Sequence, residues 1–411
     1  MFRGDAAHLG VYASAAPTLS RVKWRFATRG KIFSSPAVLD GVVYVGSTDG
    51  NLYAVRAADG SLVWRFPTHG PVNSSPAVAD GLVYFSSLDG NVYAVNTSDG
   101  RERWHFATAG ERRFTAPGIH GIEPKHEMMA DPFDVFLSSP AVANGVVYIG
   151  SGDHSVYAID AATGRLRWTF STGNVVHASP AVADGMVFIG SWDRNFYALD
   201  AATGTLRWKF QTGDDRSTYN QVGIAGSAAV AGGMVYFGCR DSFVYALDER
   251  TGHLRWKHDE HGSWVIATPA IANGTIYYAA SDERTFFALD AETGAKRFSV
   301  GYGAYTFSSP SLAGGVAYFG MSDGRLYGVD ASTGAIVARF QTDASRRNLA
   351  THLDKNGNLD VDGFFPEPTL GGIYAGLNDL FTGVGSIFGS PAISGGILYI
   401  GSTEGVLYAV T

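Results

Sequence analysis

One motif returns eight times along this chain, and few folds accommodate it. Ser-Ser-Pro-Ala-Val leads into a tight turn, followed by Val-Val-Tyr-x-Gly-Ser, x-Asp-Gly, Leu-Tyr-Ala-Val-Asp and Thr-Gly-x-Leu-x-Trp. Its proline falls at Pro36, Pro76, Pro140, Pro180, Pro269, Pro310 and Pro391, with Ala228 in its place once. The basic period is about forty residues, the length of a propeller blade, and the longer intervals are that unit plus insertions.

Each unit holds four strand-length pieces. In the first they are Ser34–Leu39, Val42–Ser47, Asn51–Arg56 and Ser61–Pro67, separated by Asp40-Gly41, Asp49-Gly50 and Asp59-Gly60. Asp-Gly between apolar alternations signals a hairpin whose two central residues take positive φ. A four-stranded antiparallel meander repeated radially is a propeller blade. The last unit, Ser390 to Thr411, stops after its third strand, and a matching fourth strand stands at the other end as Ser20–Phe26, around Trp24. The expected fold is therefore all-β: one eight-bladed β-propeller over residues 1–411, closed by the N-terminal strand completing the C-terminal blade. Closure removes exposed strand edges.

Composition agrees. Charged residues are 17% of the chain, with 52 glycines, which suits short strands joined by tight turns. A net charge of −7 with no basic cluster gives no footprint for nucleic acid. The single cysteine, Cys239, excludes an intrachain disulfide and reads as a small core residue. The longest weakly polar run, Ile224 to Cys239, is broken by four glycines and is too short to span a membrane. The opening Met-Phe-Arg-Gly-Asp lacks the apolar segment of a signal peptide.

The segment Ala158-x-Asp160-x-x-Thr163-Gly164-x-x-x-Trp168 recurs with Ala198, Asp200, Thr203, Gly204 and Trp208, and again with Ala246, Asp248, Thr251, Gly252 and Trp256; looser copies end at Trp64 and Trp104. It resembles the tryptophan-docking motif of the pyrroloquinoline-quinone (PQQ)-type propeller repeat family. Physically, the indole is an apolar plate that fills the wedge between blades, Asp and Thr satisfy backbone donors, and Gly supplies positive φ. Phe298 and Ala338 replace the tryptophan in blades six and seven, where looser packing is expected.

The resemblance implies two functional branches. One holds quinone-dependent alcohol, aldose and polymer dehydrogenases, in which a disulfide between adjacent cysteines covers the quinone, calcium coordinates it and an Asp takes the alcohol proton. The other holds non-catalytic propellers, including a subunit of the outer-membrane β-barrel assembly machinery and the sensor propellers of bacterial kinases. This chain has no cysteine pair and no Cys-x-x-Cys-His haem site. The leading expectation is a non-catalytic, extracytoplasmic (periplasmic or secreted) propeller that binds a ligand or protein, without tight PQQ binding. The alternative is a PQQ-dependent alcohol or sugar dehydrogenase, and a third reading is a sensor or scaffold domain of a longer chain.

All three insertions, 107–137, 213–224 and 342–388, join strand four of one blade to strand one of the next. They share a face with the turns between strands two and three, and loops over a rigid scaffold are where function concentrates. Those turns are plain Asp-Gly in blades one, two and seven, at Asp49, Asp89 and Asp323. Blades three to six place His154, Arg194, Ser242 and Arg284 where the glycine would stand. Either those side chains have a further use or the blades have drifted. Three residues before the strand-one proline, Phe33, Leu137, Ile266, Phe307 and Phe388 are apolar, while Asn73 and His177 are not. In the quinoprotein reading, His177, Trp192, Arg194, Arg240 and Asp241 surround the anionic cofactor; no catalytic residue is named.

The first insertion carries His120, His126, Glu111, Asp131 and Asp134 without a zinc spacing, and its prolines and aromatics read as an ordered lid. The third contains Asp354, Asn356, Asn358, Asp360 and Asp362, oxygen-bearing side chains at alternate positions, as a calcium loop needs. It departs from the EF-hand pattern at Leu359 and Phe365, with Glu367 two residues late, and the other reading is a solvated Asx-rich turn. The glycine-rich, apolar stretch Leu370–Phe388 is expected to cap the channel.

Overall fold

Turn chemistry builds each blade in turn. In blade one, strands Ala37–Leu39, Val42–Gly46, Asn51–Arg56 and Leu62–Pro67 form one antiparallel sheet in chain order. The computed structural model describes residues 2–213, 220–364, 367 and 369–411, and repeats this sheet over 77–107, 141–171, 181–211, 229–259, 270–301 and 311–341. The eighth sheet runs Ala392–Ser394, Ile397–Gly401 and Val406–Val410, then Val22–Ala27, with Trp24 opposite Ala409. The N-terminal strand thus closes the ring.

The inner strands are shorter than expected, three residues instead of six, because the serines before them leave the ladder for hydrogen bonds between blades. The turns also divide into kinds. Between strands one and two both central residues are left-handed, as at Asp40 (φ 49°) and Gly41 (φ 75°). Between strands two and three only the glycine position is, and the aspartate works as an acceptor instead. Asp49 takes the N–H of Arg29 and Asn51 and the hydroxyl of Tyr53. In the third turn, Gly60 (φ 77°) lies under the Trp24 indole, where a Cβ would come within 2.8 Å of the ring. Trp24 Nε1 donates to the Ala57 carbonyl, and Trp64, Trp104, Trp168, Trp208 and Trp256 repeat this bond to the next blade.

Blade seven needs no tryptophan. Its neighbour's fourth strand comes from the other end of the chain, so there is no third turn for an indole to cover. Leu19 packs with Ala338 and Tyr318 instead, and Tyr318 donates to the Pro17 carbonyl. Blade six keeps the arrangement with Phe298 over Gly334.

The N-terminal segment also crosses the axis, which the sequence pattern did not indicate. The carbonyls of Ala6, Ala7, Leu9 and Gly10 accept the N–H groups of Val182, Val230, Ile271 and Leu312, on the inner strands of blades four to seven. Arg3, buried, donates to the carbonyls of Pro269 and Pro310. Among the described residues no helix is long and apolar enough to cross a membrane.

Candidate functional site

The axis is built in two layers that follow from the repeat. The residue before each strand-one proline (or Ala228) is a hydroxyl. Ser35 N–H donates to Ser75 Oγ, Ser75 to Ser139, Ser139 to Ser179 and Ser179 to Ser227; Thr268 donates to Ser309, Ser309 to Ser390 and Ser390 back to Ser35. Two residues earlier stand the mouth positions, with Phe33, Phe307 and Phe388 on one side and Asn73 and His177 on the other. Together they enclose a chamber of about 60 Å³, with Phe2 and Phe136 also in its wall. Phe307 and Phe388 stack at 5.2 Å, and Phe136 leans on both, so the mouth is filled by the protein's own rings.

The first insertion folds into a lid around the strands Thr115–Pro117 and Met128–Ala130. Phe114, Ile119, Ile122 and Met129 are buried against Val175, Trp192 and Val222, so the expected ordered lid is present. It delivers three buried acids to the ring. Asp134 Oδ1 lies 2.6 Å from His177 Nδ1, and Glu111 Oε2 lies 3.6 Å from Nε2. Glu111 is fixed by Ser151 Oγ and the Gly152 N–H, and a Cβ on Gly152 would strike Arg112 backbone atoms at 2.4 Å. Burial alone would lower the His177 pKa, but the two carboxylates outweigh it and raise it to about 10, so the ring is an imidazolium at neutral pH.

The third acid, Asp131, meets Arg240 Nη1 at 2.6 Å and His120 Nε2 at 3.0 Å, all three inside the protein. Burial opposes its ionisation, yet Arg240 and then His120 hold it well below the usual carboxylate range. Arg240 lies 4.7 Å from the Trp192 ring and 3.9 Å from the Trp264 ring, and Phe114 stacks on Trp192 at 4.6 Å. His120 bonds onward to Asn220 of the second insertion. Residues 214–219 of that insertion lie outside the described residues.

The five residues assigned to an anionic planar cofactor therefore occupy four settings. His177 and Arg240 each answer a lid carboxylate. Trp192 is covered on one side by Phe114 and approached by Arg240. Asp241 accepts the Tyr245 hydroxyl at 2.6 Å and the Gly213 N–H at 2.7 Å, the same service that Asp49, Asp89, Asp153 and Asp193 perform for their own blades. Arg194 sits at its turn with φ 72°, its carbonyl accepting the Thr212 N–H. PQQ needs open flat faces and uncommitted cations for its carboxylates, and His177, Trp192, Arg240 and Asp241 do not fit it.

In the third insertion, Asp354 Oδ1 accepts the N–H groups of Asn358 and Asn356, at 2.8 and 2.9 Å, which lower its pKa. Asp360 Oδ1 takes the Gly363 N–H. Leu359, where an EF-hand has glycine, is buried and its N–H donates to the Gly303 carbonyl, so it anchors the loop to the ring. The side chain of Asp362 lies outside the described residues, as does Phe365. Among the described residues no three His, Cys, Asp or Glu cluster to hold a metal. The helix Leu370–Gly383, capped by Thr369, packs Leu377, Leu380 and Phe381 over the mouth, and Thr369 bridges to Glu123 of the first lid.

Between the lids and blades six and seven lies a cavity of about 200 Å³. Sequence reasoning missed it, because its walls come from all three insertions. The usable signal was small: blade six keeps a turn aspartate, Asp282, but has Phe286 and Phe287 where other blades have the tyrosine.

The sequence matches the family described as outer membrane protein assembly factor BamB over residues 11–121, 123–263 and 221–363. No curated protein matches it. Among solved structures, BamB from Moraxella catarrhalis superposes with a TM-score of 0.66 at 15% identity, covering 95% of this chain and 96% of that one. Quinohemoprotein alcohol dehydrogenase from Comamonas testosteroni gives 0.71 at 14%, over 98% and 79%. The computationally designed Ika8 protein gives 0.68 at 15%, over 95% and 99%. Likeness at such identity establishes the fold alone.

Proposed function

The chain belongs to the family described as outer membrane protein assembly factor BamB, and on that premise we propose that it is a non-catalytic, extracytoplasmic scaffold that binds through its insertion-bearing face. One observation carries the reading. Two charged pairs beneath the first lid are closed on themselves, Asp134 with His177 and Asp131 with Arg240, while the mouth is packed with phenylalanines. What this face offers a macromolecule is the outside of the lids, where Met128 is 61% and Tyr374 39% exposed. The partner class the family description supplies is the apparatus that assembles outer membrane proteins. Calcium, held by the loop of Asp354, Asn356, Asn358 and Asp360, is part of the proposal as a stabiliser of the third lid.

Titration with PQQ and calcium, followed by absorbance and by dye reduction with alcohols and aldoses, tests the central point. No tight binding and no oxidation are expected. Micromolar binding with calcium-dependent oxidation would replace this reading with a quinone-dependent dehydrogenase.

A further inference from the structure

Six blades fasten a tyrosine to the acid of its own turn. Asp49, Asp89, Asp153, Asp193 and Asp241 each accept the hydroxyl of the tyrosine four residues on, at 2.6 to 2.9 Å, and Glu404 accepts that of Tyr408. Blade seven carries the same two residues, Asp323 and Tyr327, and does not make the bond. Asp323 Oδ2 is buried with no hydrogen-bond partner among the described residues, and Arg325 Nη1 stands 3.5 Å from it. Blade one has Asn51 at the place of Arg325, a neutral side chain that donates to Asp49. In blade seven an arginine answers the aspartate by charge instead, and the Tyr327 hydroxyl is left without an acceptor among the described residues.

Tyr327 lines a groove of about 580 Å³ together with Arg325, Arg339, Phe340, Gln341 and Arg346. Strand geometry gathers the first arginines. In the outer ladder of blade seven Arg325 stands opposite Gln341 and Tyr327 opposite Arg339, so alternation puts all four on one face of the sheet. The third arginine comes from the helix Asp343–Asn348, which opens the third insertion. The Arg339 guanidinium lies 5.8 Å from the Tyr327 ring, and that of Arg346 lies 5.7 Å from the Phe340 ring. Among the described residues no acid lines this groove. Asp343, on the same helix as Arg346, is held by Arg25 at 2.7 and 3.0 Å. Arg339 and Arg346 therefore have no ion pair among the described residues.

Cations gathered on one surface repel one another until an anion meets them. Arg325 is offset by Asp323, which leaves two positive charges and one phenol donor facing the groove. Guanidinium forks match the oxygens of a phosphate, and bonds of this charge-assisted kind are the strong ones. A phosphate monoester places two charges and three oxygens on a single centre, which suits two arginines and a tyrosine. The volume lies in the range of small-molecule sites, and the Tyr327 ring offers a face to an apolar body.

We propose that the groove of blade seven binds a small organic phosphate monoester, its oxygens held by Arg339, Arg346 and the Tyr327 hydroxyl. The site is independent of the scaffold role. Partner binding is read with variants at Met128 and Tyr374, phosphate binding with variants in the groove.

Phenyl phosphate and phenyl sulfate, alike in shape and different in charge, are the probes, measured by calorimetric titration of the full chain. At pH 8 the phosphate is a dianion, its second pKa being about 6. It is expected to bind on the order of tenfold more tightly than the sulfate. Isophthalate, whose two charges sit on separate carboxylates, is expected to bind no better than the sulfate. Exchanging both free arginines, Arg339→Gln with Arg346→Gln, should erase the preference for phosphate, and Tyr327→Phe should weaken phosphate binding roughly fivefold. Equal affinities for phosphate and sulfate, isophthalate binding as tight as phosphate, no binding at millimolar concentration, or a preference that survives the double exchange would each overturn the proposal. The comparison of probes on the unmodified protein decides the matter even where a variant fails to fold.

Discussion

His177 Nδ1 lies 2.6 Å from Asp134 Oδ1, so a histidine at the mouth of blade four is held by an acid that the first insertion carries in. Glu111 on the other side makes the group a buried imidazolium between two carboxylates. Replacing His177 by Gln leaves both acids buried without their cation and is expected to cost about 3–5 kcal/mol in denaturant unfolding at pH 6. Its folded pKa, about 10, lies above the unfolded value of about 6.5. The stabilisation is therefore complete below pH 6.5, declines as pH rises and is lost through pH 10. Unfolding free energies of the two proteins should converge over that range, and a constant gap would refute the charged pair.

Asp131 and Arg240 form the second buried pair, 109 residues apart in sequence. Arg240→Met alone is expected to destabilise by about 3–5 kcal/mol, because it strands Asp131, and adding Asp131→Leu should recover much of the loss. A double-mutant cycle read by denaturant unfolding checks this. Additive losses would show that the two do not depend on each other.

Removing residues 1–28 takes away the strand around Trp24 and exposes the edge of the eighth blade, so the product is expected to self-associate and melt earlier. Removing residues 1–12 keeps that strand but strips the carbonyl partners from Val182, Val230, Ile271 and Leu312. That shorter deletion should stay monomeric and lose about 2–4 kcal/mol, roughly one hydrogen bond's worth at each amide. Light scattering with thermal melting separates the two outcomes, and a monomer lacking 1–28 with an unchanged melt would refute closure.

His154 holds φ 74° at a turn where other blades use glycine. If its side chain does nothing further, His154→Gly should stabilise by up to about 1 kcal/mol, the relief of left-handed strain less the added freedom of the unfolded chain. A loss of stability or of partner binding would mean that the imidazole has a task on this face.

Calcium is expected to raise the melting temperature and chelation to lower it, since an ion that binds only the folded loop stabilises it by mass action. Asp354→Ala should remove the difference. Identical melts with calcium and chelator would leave the loop as a turn whose aspartate serves Asn356 and Asn358.

The sequence by itself determined the number of blades, their strand order, the closure at Trp24 and the single face that carries the insertions. These follow from chemistry within a few residues: apolar alternation, glycines where φ must be positive, and an indole at a fixed distance from its turn. The mouth layer with Phe307, Phe388 and His177 was legible for the same reason, since it holds one position in every repeat. Only the tertiary structure decided what the unusual residues do. Asp241 looked special and proved to serve its own blade through Tyr245, whereas Asp282, in another of the altered turns, proved to have phenylalanine where that tyrosine would stand. Arg240 finds Asp131, His177 finds Asp134, and Arg3 finds Pro269 and Pro310, each far from its partner in sequence. A buried charge takes whichever partner the folded lids bring to it, and no local pattern encodes which loop will lie over which blade.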